Sequence, residues 1–200
     1  MPEIAAREAL IRVHTAGVGE WDAFEREGGY AQLLGTPGRF PYVLGSEGGG
    51  VVVAVGSEVE RLAVGDEVYA AAFLNPKGGF YAQYVAVSEA LGSRVPSGIS
   101  LESAAVMAGV GITALRGLED RLRLARDESL LIVGASGGLG HIAVQLAKRA
   151  GARVHSPLAV STRLCSPHTA PQSTKRSARC GPVVASPIPR VCGLQTRRRA

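Results

Sequence analysis

The sequence predicts an all-β domain over residues 1–99, the start of a parallel α/β domain over 100–154, and an irregular basic tail over 155–200. Three observations predict this division. Short β-rich runs separated by glycine turns fill the first part, which is typical of a barrel or sandwich. An apolar run, a glycine-rich loop and an amphipathic helix then follow one another after residue 128. Beyond residue 154 the apolar periodicity ends.

The β-rich runs of the first domain lie at 9–13, 51–55, 67–71 and 80–87, with turn sequences between them. One helix interrupts them. It is predicted over residues 21–27 and ends at a pair of glycines, as helices often do. We therefore expect a β-barrel with a single helical excursion.

The second domain begins with a helix that Ser100 is expected to cap. Gly109 and Gly111 are expected to interrupt it before a helical pattern resumes over 112–124. Residues 129–133 predict an apolar strand buried on both faces of a parallel sheet. A helix with one apolar face follows, and 152–154 begins a second strand. This β–α–β order is that of the opening of a dinucleotide-binding unit.

The glycine loop between strand and helix is the candidate cofactor site. It reads ASGGLG over 135–140, so alanine replaces the first glycine of G-x-G-x-x-G. The amide groups of a helix N-terminus suit a pyrophosphate, and glycines let it approach the backbone. The predicted cofactor-binding residues are Ala135, Ser136, Gly137, Gly138, Leu139 and Gly140. The alternative is a tight strand-to-helix turn with no ligand.

Charge is divided unevenly along the chain. Residues 1–154 carry all 17 acidic residues against 14 lysines and arginines, whereas 155–200 carry eight basic residues and no acid. The high pI therefore comes from the tail, and a nucleic-acid-binding core is not implied. No apolar run approaches the ~18 residues of a membrane helix, and residues 1–154 contain no cysteine. We expect a soluble, cytoplasmic protein.

The tail also contains all three cysteines and six of the eleven prolines. We interpret it as an out-of-frame reading of a GC-rich gene, with a natural disordered tail as the alternative. Its cysteines, at 165, 180 and 192, form no CxxC pair and disfavour a zinc knuckle. The residue that would select NAD or NADP should lie roughly 20 residues beyond the loop. Residues 155–162 supply neither an acid nor a basic group there.

Five motifs resemble the medium-chain dehydrogenase/reductase superfamily in order and spacing over residues 9–154. They are GSEGGGVVVAVG at 45–56, VGDEVY at 64–69, FYAQYV at 80–85, GITAL at 111–115 and VGASGGLGH at 133–141. The similarity is greatest to the zinc-independent, quinone oxidoreductase-like members. It implies a GroES-like β-barrel domain followed by an incomplete Rossmann domain. The C-terminal tail lies outside the resemblance and is expected to be disordered. The resemblance also implies a homodimer, an active site between the two domains, and hydride transfer from NADPH, with NADH not excluded, to a quinone or enone.

The resemblance also assigns individual positions. Zinc-dependent relatives place a cysteine where Gly19 stands and a histidine where Ser46 stands, so no zinc is expected. For Asp22 there are two alternatives: it organises the wall of the cleft between the domains, or it only orders a turn. For Tyr30 the alternatives are a position near the nicotinamide and a place in the barrel with an exposed hydroxyl. Thr113 is expected beside the cofactor. The sequence identifies no catalytic acid.

Three functions remain open from the sequence. The first is an NAD(P)H-dependent quinone or enone oxidoreductase, and the second is a catalytically inactive fragment that retains the GroES-like fold. The third is a weak nucleic-acid binder acting through the basic tail, whose RRR cluster at 197–199 lacks interleaved aromatic residues. Specific nucleic-acid recognition is not expected.

Overall fold

The computed structural model describes residues 1–35 and 41–156, together with the backbone of the strand Leu194–Thr196. The chain divides into two compact units, Met1–Ile112 and Thr113–Ala200. No helix among the described residues is long and apolar enough to cross a membrane.

The first unit is built on a five-stranded antiparallel sheet in the order β4-β1-β2-β3-β5. Its strands are β1 (Glu8–Ala16), β2 (Glu47–Val55), β3 (Glu67–Ala71), β4 (Tyr84–Ser88) and β5 (Gly92–Arg94). The four predicted β runs are confirmed, although β4 begins four residues later than its run, and β5 was not predicted. The apolar side chains of the central strands alternate inward and bury Ile11, Val52, Val68 and Val85 with Phe80.

Two short helices follow β1 where the sequence predicts one. They are α1 (Glu20–Arg26) and α2 (Gly29–Leu34). Gly28 between them has φ +78°, a left-handed conformation that glycine adopts without a steric penalty. The predicted helix thus ends at this glycine pair, where the chain turns sharply and begins a second helix.

After β5 the chain forms α3 (Leu101–Ala105) and α4 (Ala108–Arg116), and α4 continues as a π-helix over Gly117–Arg121. The Ser100 hydroxyl accepts a hydrogen bond from the Ser103 amide (3.2 Å) and caps α3 as predicted. The predicted interruption at Gly109 and Gly111 is wrong, because both lie inside α4. A Cβ at Gly109 would lie 2.8 Å from the Glu47 carboxylate, so close packing explains glycine there.

The second unit contains β6 (Ser129–Ile132), α5 (Gly138–Arg149), β7 (Arg153–His155) and β8 (Leu194–Thr196). β6 pairs in parallel with β7, with Leu130 opposite Val154, and this confirms the predicted β–α–β unit. Ala143 and Ala147 of α5 pack against Leu130 and Ile132 in a second apolar core. On its other edge β6 pairs antiparallel with β8.

The expectation that β6 is buried on both faces is wrong. Leu130 and Ile132 are buried, whereas Leu131 is 43% exposed and Val133 beyond the strand is 53% exposed. Alternate residues of a strand point to opposite faces of the sheet. Only the face that carries Leu130 and Ile132 therefore lies in the core.

Most of the predicted irregular tail lies outside the described residues. This includes the three cysteines and the basic cluster at 197–199. Within the tail the structure describes the end of β7, Ser156 and the backbone of β8.

Candidate functional site

The carboxylate of Asp22 is the centre of a buried hydrogen-bond cluster in the first unit. Asp22 lies in the first turn of α1 and is 4% exposed. One oxygen, Oδ2, accepts from the Gly19 amide at 2.8 Å, and the other, Oδ1, accepts from the Ser46 amide at 3.2 Å. The Ser46 hydroxyl lies 3.4 Å from Oδ1. Asp22 therefore joins the loop before α1 to the start of β2.

Tyr81 supplies the fourth donor to Asp22. Its hydroxyl lies 3.0 Å from Asp22 Oδ2 and 3.3 Å from the Gly17 carbonyl oxygen. Burial, followed by the hydrogen bond to Asp22, raises the pKa of Tyr81 to about 12. The Tyr81 proton is therefore held against the carboxylate at neutral pH.

Glu47, the first residue of β2, provides a second buried carboxylate and is 3% exposed. Its Oε2 accepts a hydrogen bond from the Gly109 amide of α4. Burial raises the pKa of Glu47, and the negative charge of Asp22 acts in the same direction. A Cβ at Gly17 would lie 2.6 Å from this carboxylate, so the glycine makes room for it. Glu47 therefore has a structural role, because it joins the start of β2 to α4.

Three aromatic rings, Phe24, Tyr30 and Phe73, form what we call the aromatic wall. Tyr30 stands between the other two in edge-to-face contacts, with ring centroids 4.8 Å from Phe24 and 4.7 Å from Phe73. Edge-to-face stacking is a favoured geometry for aromatic pairs. The ring of Tyr30 is therefore held from two sides.

The hydroxyl of Tyr30 differs from that of Tyr81 in its bonding. Within the described residues it makes no hydrogen bond. Burial raises the pKa of Tyr30, and the charges of Glu25 and Asp22 add to the effect. Tyr30 therefore stays protonated at neutral pH and keeps a donor available.

The two positions that zinc-dependent relatives use for metal ligands do not fit zinc here. Gly19 has no side chain, and the Ser46 hydroxyl lies beside Asp22. Among residues 1–35 and 41–156, no cluster of three or more histidine, cysteine, aspartate or glutamate side chains is arranged to hold a metal ion.

The predicted cofactor loop lies between β6 and α5 in the second unit. Gly134 has φ +81°, and its carbonyl accepts from the Gly137 amide at 3.0 Å, which closes a tight turn. Ser136, Gly137 and Gly138 are exposed, and the first turn of α5 contains no acidic residue. First-turn amides have no acceptor within their own helix and carry partial positive charge. The exposed loop therefore fits a pyrophosphate.

Gly140 of the same loop has a packing role. A Cβ there would lie 2.1 Å from the Gly134 carbonyl oxygen, so only glycine lets α5 approach the turn this closely. Leu139 and Ala135 are half-buried against the second core. The loop thus combines an exposed half, Ser136–Gly137–Gly138, with a half that packs on the protein.

Thr113, the remaining predicted cofactor residue, is exposed on α4. The predicted selector region for NAD or NADP falls mainly on 157–162, which lie outside the described residues. Asp22 and Tyr30 lie in the first unit, and Thr113 and the glycine loop lie in the second.

Sequence reasoning did not identify Tyr81 and Phe73 as site residues. Tyr81 reaches Asp22 because its amide donates to the Leu44 carbonyl at 2.9 Å, while the Phe80 amide donates to Gly45 at 2.8 Å. Gly45 has φ +105°, and its backbone lies against that of Tyr81. These contacts join residues far apart in the chain, and no local pattern indicates them.

The comparisons with known proteins agree with this architecture. The Alcohol dehydrogenase GroES-like domain family matches residues 5–97. The chain is 38% identical over 153 residues to an NADPH-dependent alkenal/one oxidoreductase of Arabidopsis thaliana, covering 74% of this chain and 39% of the relative. It is 38% identical over 152 residues to a quinone oxidoreductase of Pseudomonas aeruginosa, covering 76% and 44%.

A mycobacterial protein solved in complex with NADPH has the same fold over the matched region. The TM-score is 0.67 at 32% identity, covering 78% of this chain and 45% of that one. This chain therefore spans less than half the length of these three relatives.

Over the matched region, the fold and its glycine loop are those of oxidoreductase-like proteins. The chain belongs to the medium-chain dehydrogenase/reductase superfamily and is quinone oxidoreductase-like.

Proposed function

We propose that this chain is an NAD(P)H-dependent oxidoreductase that transfers hydride, without zinc, to a carbonyl-conjugated quinone or enone. The glycine loop carries the proposal, since its exposed amides at the start of α5 fit a pyrophosphate and no first-turn acid opposes one. Ser136 and Gly138 would hold the phosphates, and Gly137, whose amide is bonded to the Gly134 carbonyl, would let them approach because it has no Cβ. Ala135, Leu139 and Gly140 would shape the turn. Thr113 is proposed to contact the cofactor. NADPH is the proposed cofactor because one similar protein is an NADPH-dependent oxidoreductase and another was solved in complex with NADPH.

When bound, the reduced nicotinamide supplies the hydride, and the chain supplies orientation and polarity. Tyr30 is the proposed donor to the substrate carbonyl oxygen, because its hydroxyl makes no hydrogen bond within the described residues. Tyr81 is unsuited to that task, since its proton is held by Asp22. Asp22 is proposed to position the loop before α1 and the side chain of Tyr81, without contacting the substrate.

The first experiment titrates the full chain with NADPH and follows its thermal unfolding. A ligand of the native state raises the unfolding temperature by mass action. We expect a saturable rise that Gly138→Asp removes, because a carboxylate at the start of α5 repels phosphate. An unchanged unfolding temperature at millimolar NADPH and NADH would contradict cofactor binding and favour a GroES-like fold without catalysis.

The second experiment tests chemistry through Tyr30. Turnover of a naphthoquinone with NADPH is compared between the wild type and Tyr30→Phe. Loss of a single donor to a developing oxyanion costs roughly a hundredfold in kcat. The thermal shift with NADPH should be unchanged, since the proposal assigns the phosphates of the cofactor to the glycine loop and not to Tyr30. Equal kcat values would remove Tyr30 from the mechanism.

A further inference from the structure

Phe73 is a large apolar residue that the fold leaves half outside. It follows β3 and is 48% exposed, whereas Ala72 before it is 2% exposed. Its ring meets Tyr30 in an edge-to-face contact with an interplanar angle of 86°. One part of the ring therefore holds Tyr30, and a considerable part faces outward.

The loop that carries Phe73 is held in a strained and anchored conformation. Leu74 has φ +53°, a left-handed conformation that is uncommon for a bulky residue. The next residue, Asn75, donates from Nδ2 to the Ala86 carbonyl at 2.8 Å and accepts from the Gly78 amide at 3.0 Å. Such strain persists where the surroundings determine the backbone, and it is concentrated at functional sites. The exposed position of Phe73 is thus set by the loop.

The Tyr30 hydroxyl places a hydrogen-bond donor beside the exposed ring of Phe73. Tyr30, in contact with Phe73, carries a hydroxyl without a hydrogen-bond partner in the described residues. A flat apolar ring beside a free donor matches a planar ligand that carries a carbonyl group. An aliphatic ligand would gain the donor but not the ring stacking.

We propose that Phe73 is a specificity-determining residue whose exposed ring binds the planar ring of a conjugated carbonyl compound and so favours aromatic quinones over aliphatic enones. The proposal rests on the proposed function, since that function makes such a compound the substrate. It concerns ligand binding, however, and is testable without cofactor.

The test is calorimetric titration of the full chain with menadione, a naphthoquinone, in the absence of NADPH. An aromatic contact contributes enough that Phe73→Ala should weaken menadione binding by roughly fivefold to tenfold. Phe73→Tyr should keep the wild-type affinity, because it keeps the ring. Val64→Ala, at a residue that is also exposed (63%), is the matched control and should have no effect. Phe73→Leu keeps apolar volume without a ring and serves if the alanine variant does not fold.

The outcomes separate the inference from the proposed function. Equal menadione affinity in Phe73→Ala or Phe73→Leu, or no binding by the wild type, would overturn the role of Phe73 even if NADPH stabilises the chain. Menadione binding that depends on Phe73, in a chain that NADPH does not stabilise, would support the role of Phe73 and contradict the oxidoreductase proposal.

Discussion

The Tyr81 hydroxyl donates a hydrogen bond to the buried carboxylate of Asp22, 3.0 Å away, although the two residues are 59 positions apart in the chain. The same carboxylate accepts hydrogen bonds from the amides of Gly19 and Ser46. One side chain thus joins the loop before α1, the start of β2 and the loop before β4. The predictions below begin with this cluster.

Asp22→Asn should lower both the stability of the fold and the pKa of Tyr81. An amide offers one acceptor oxygen in place of two, so at least one buried donor loses its partner at a cost of roughly 1–3 kcal/mol. Without the negative charge the pKa of Tyr81 should fall from about 12 toward the usual value of about 10. Denaturant unfolding measures the first effect and ultraviolet titration of tyrosinate the second.

Tyr81→Phe is the control for that titration. The part of the tyrosinate signal that titrates at high pH, and that Asp22→Asn should move to lower pH, must be missing in this variant. A raised tyrosine pKa in the native state stabilises the fold below about pH 10. That contribution is lost as pH rises toward about 12. The wild type should therefore lose more stability over this interval than Tyr81→Phe. An unmoved tyrosinate titration in Asp22→Asn would show that the hydrogen bond does not set the pKa.

Glu47→Gln should stabilise the fold at neutral pH relative to the wild type. Burial raises the pKa of Glu47, so the native state favours the protonated form. The associated stability is present below the usual carboxyl pKa of 4.5 and is lost as pH rises through the native pKa. Glutamine still accepts from the Gly109 amide and carries no charge. Thermal unfolding from pH 4 to pH 8 should show a smaller decline for the variant, and a parallel decline would contradict the assignment.

Glu89→Gln should have the opposite pH dependence. Hydrogen bonds from the Glu60 and Arg61 amides, followed by the Arg7 guanidinium, lower the pKa of the Glu89 carboxyl. This contribution is present above pH 4.5 and is lost as pH falls through the native pKa. The variant should unfold at a lower temperature than the wild type at neutral pH, and the difference should shrink on acidification. A difference that is constant with pH would indicate packing alone.

Gly138→Asp and Gly140→Ala should separate ligand binding from packing in the glycine loop. Gly138 is exposed at the first position of α5, where an acid favours the helix. The aspartate should abolish the NADPH-induced shift without lowering the unfolding temperature of the free chain. Alanine at 140 would lie against the Gly134 carbonyl and should cost roughly 1–3 kcal/mol without ligand. If Gly138→Asp destabilised the chain without ligand as much as Gly140→Ala does, Gly138 would also have a packing role, and the separation of binding from packing would be wrong.

The double variant Leu131→Gln, Val133→Thr should reduce self-association with little loss of stability. Both side chains are about half exposed on one face of the second unit, and exposed apolar surface favours association. Light scattering at rising concentration measures the effect. Leu130→Gln is the buried counterpart on the same strand and should unfold the second core. Unchanged scattering in the double variant would place the association surface elsewhere.

Local pattern was sufficient to predict much of the fold. Alternating apolar residues and glycine turns predicted four of the five strands in the sheet of the first unit, since the period of two follows from the pleat of a strand. The apolar stripe of α5 and the cap at Ser100 were likewise predictable, because a helix places residues three and four apart on one face. The positions of Gly28 and of the glycine loop were also predictable from the steric demands of turns.

Long-range contacts were not predictable in this way. The sequence indicated Asp22 and Tyr30 only through family resemblance, and it gave no sign that Tyr81 or Phe73 lies beside them. Gly109 was interpreted as a helix break, yet it lies within α4 where Glu47 leaves no room for a side chain. Burial of β6 on one face only depends on which elements pack against the sheet.

The sequence by itself thus determined where strands, helices and the glycine loop form, because those choices depend on residues within a few positions of one another. Only the tertiary structure decided that Asp22 holds the Tyr81 proton while Tyr30 keeps its own free. Hydrogen-bond partners and burial are set by distances between segments, and these exist only once the β-strands have paired.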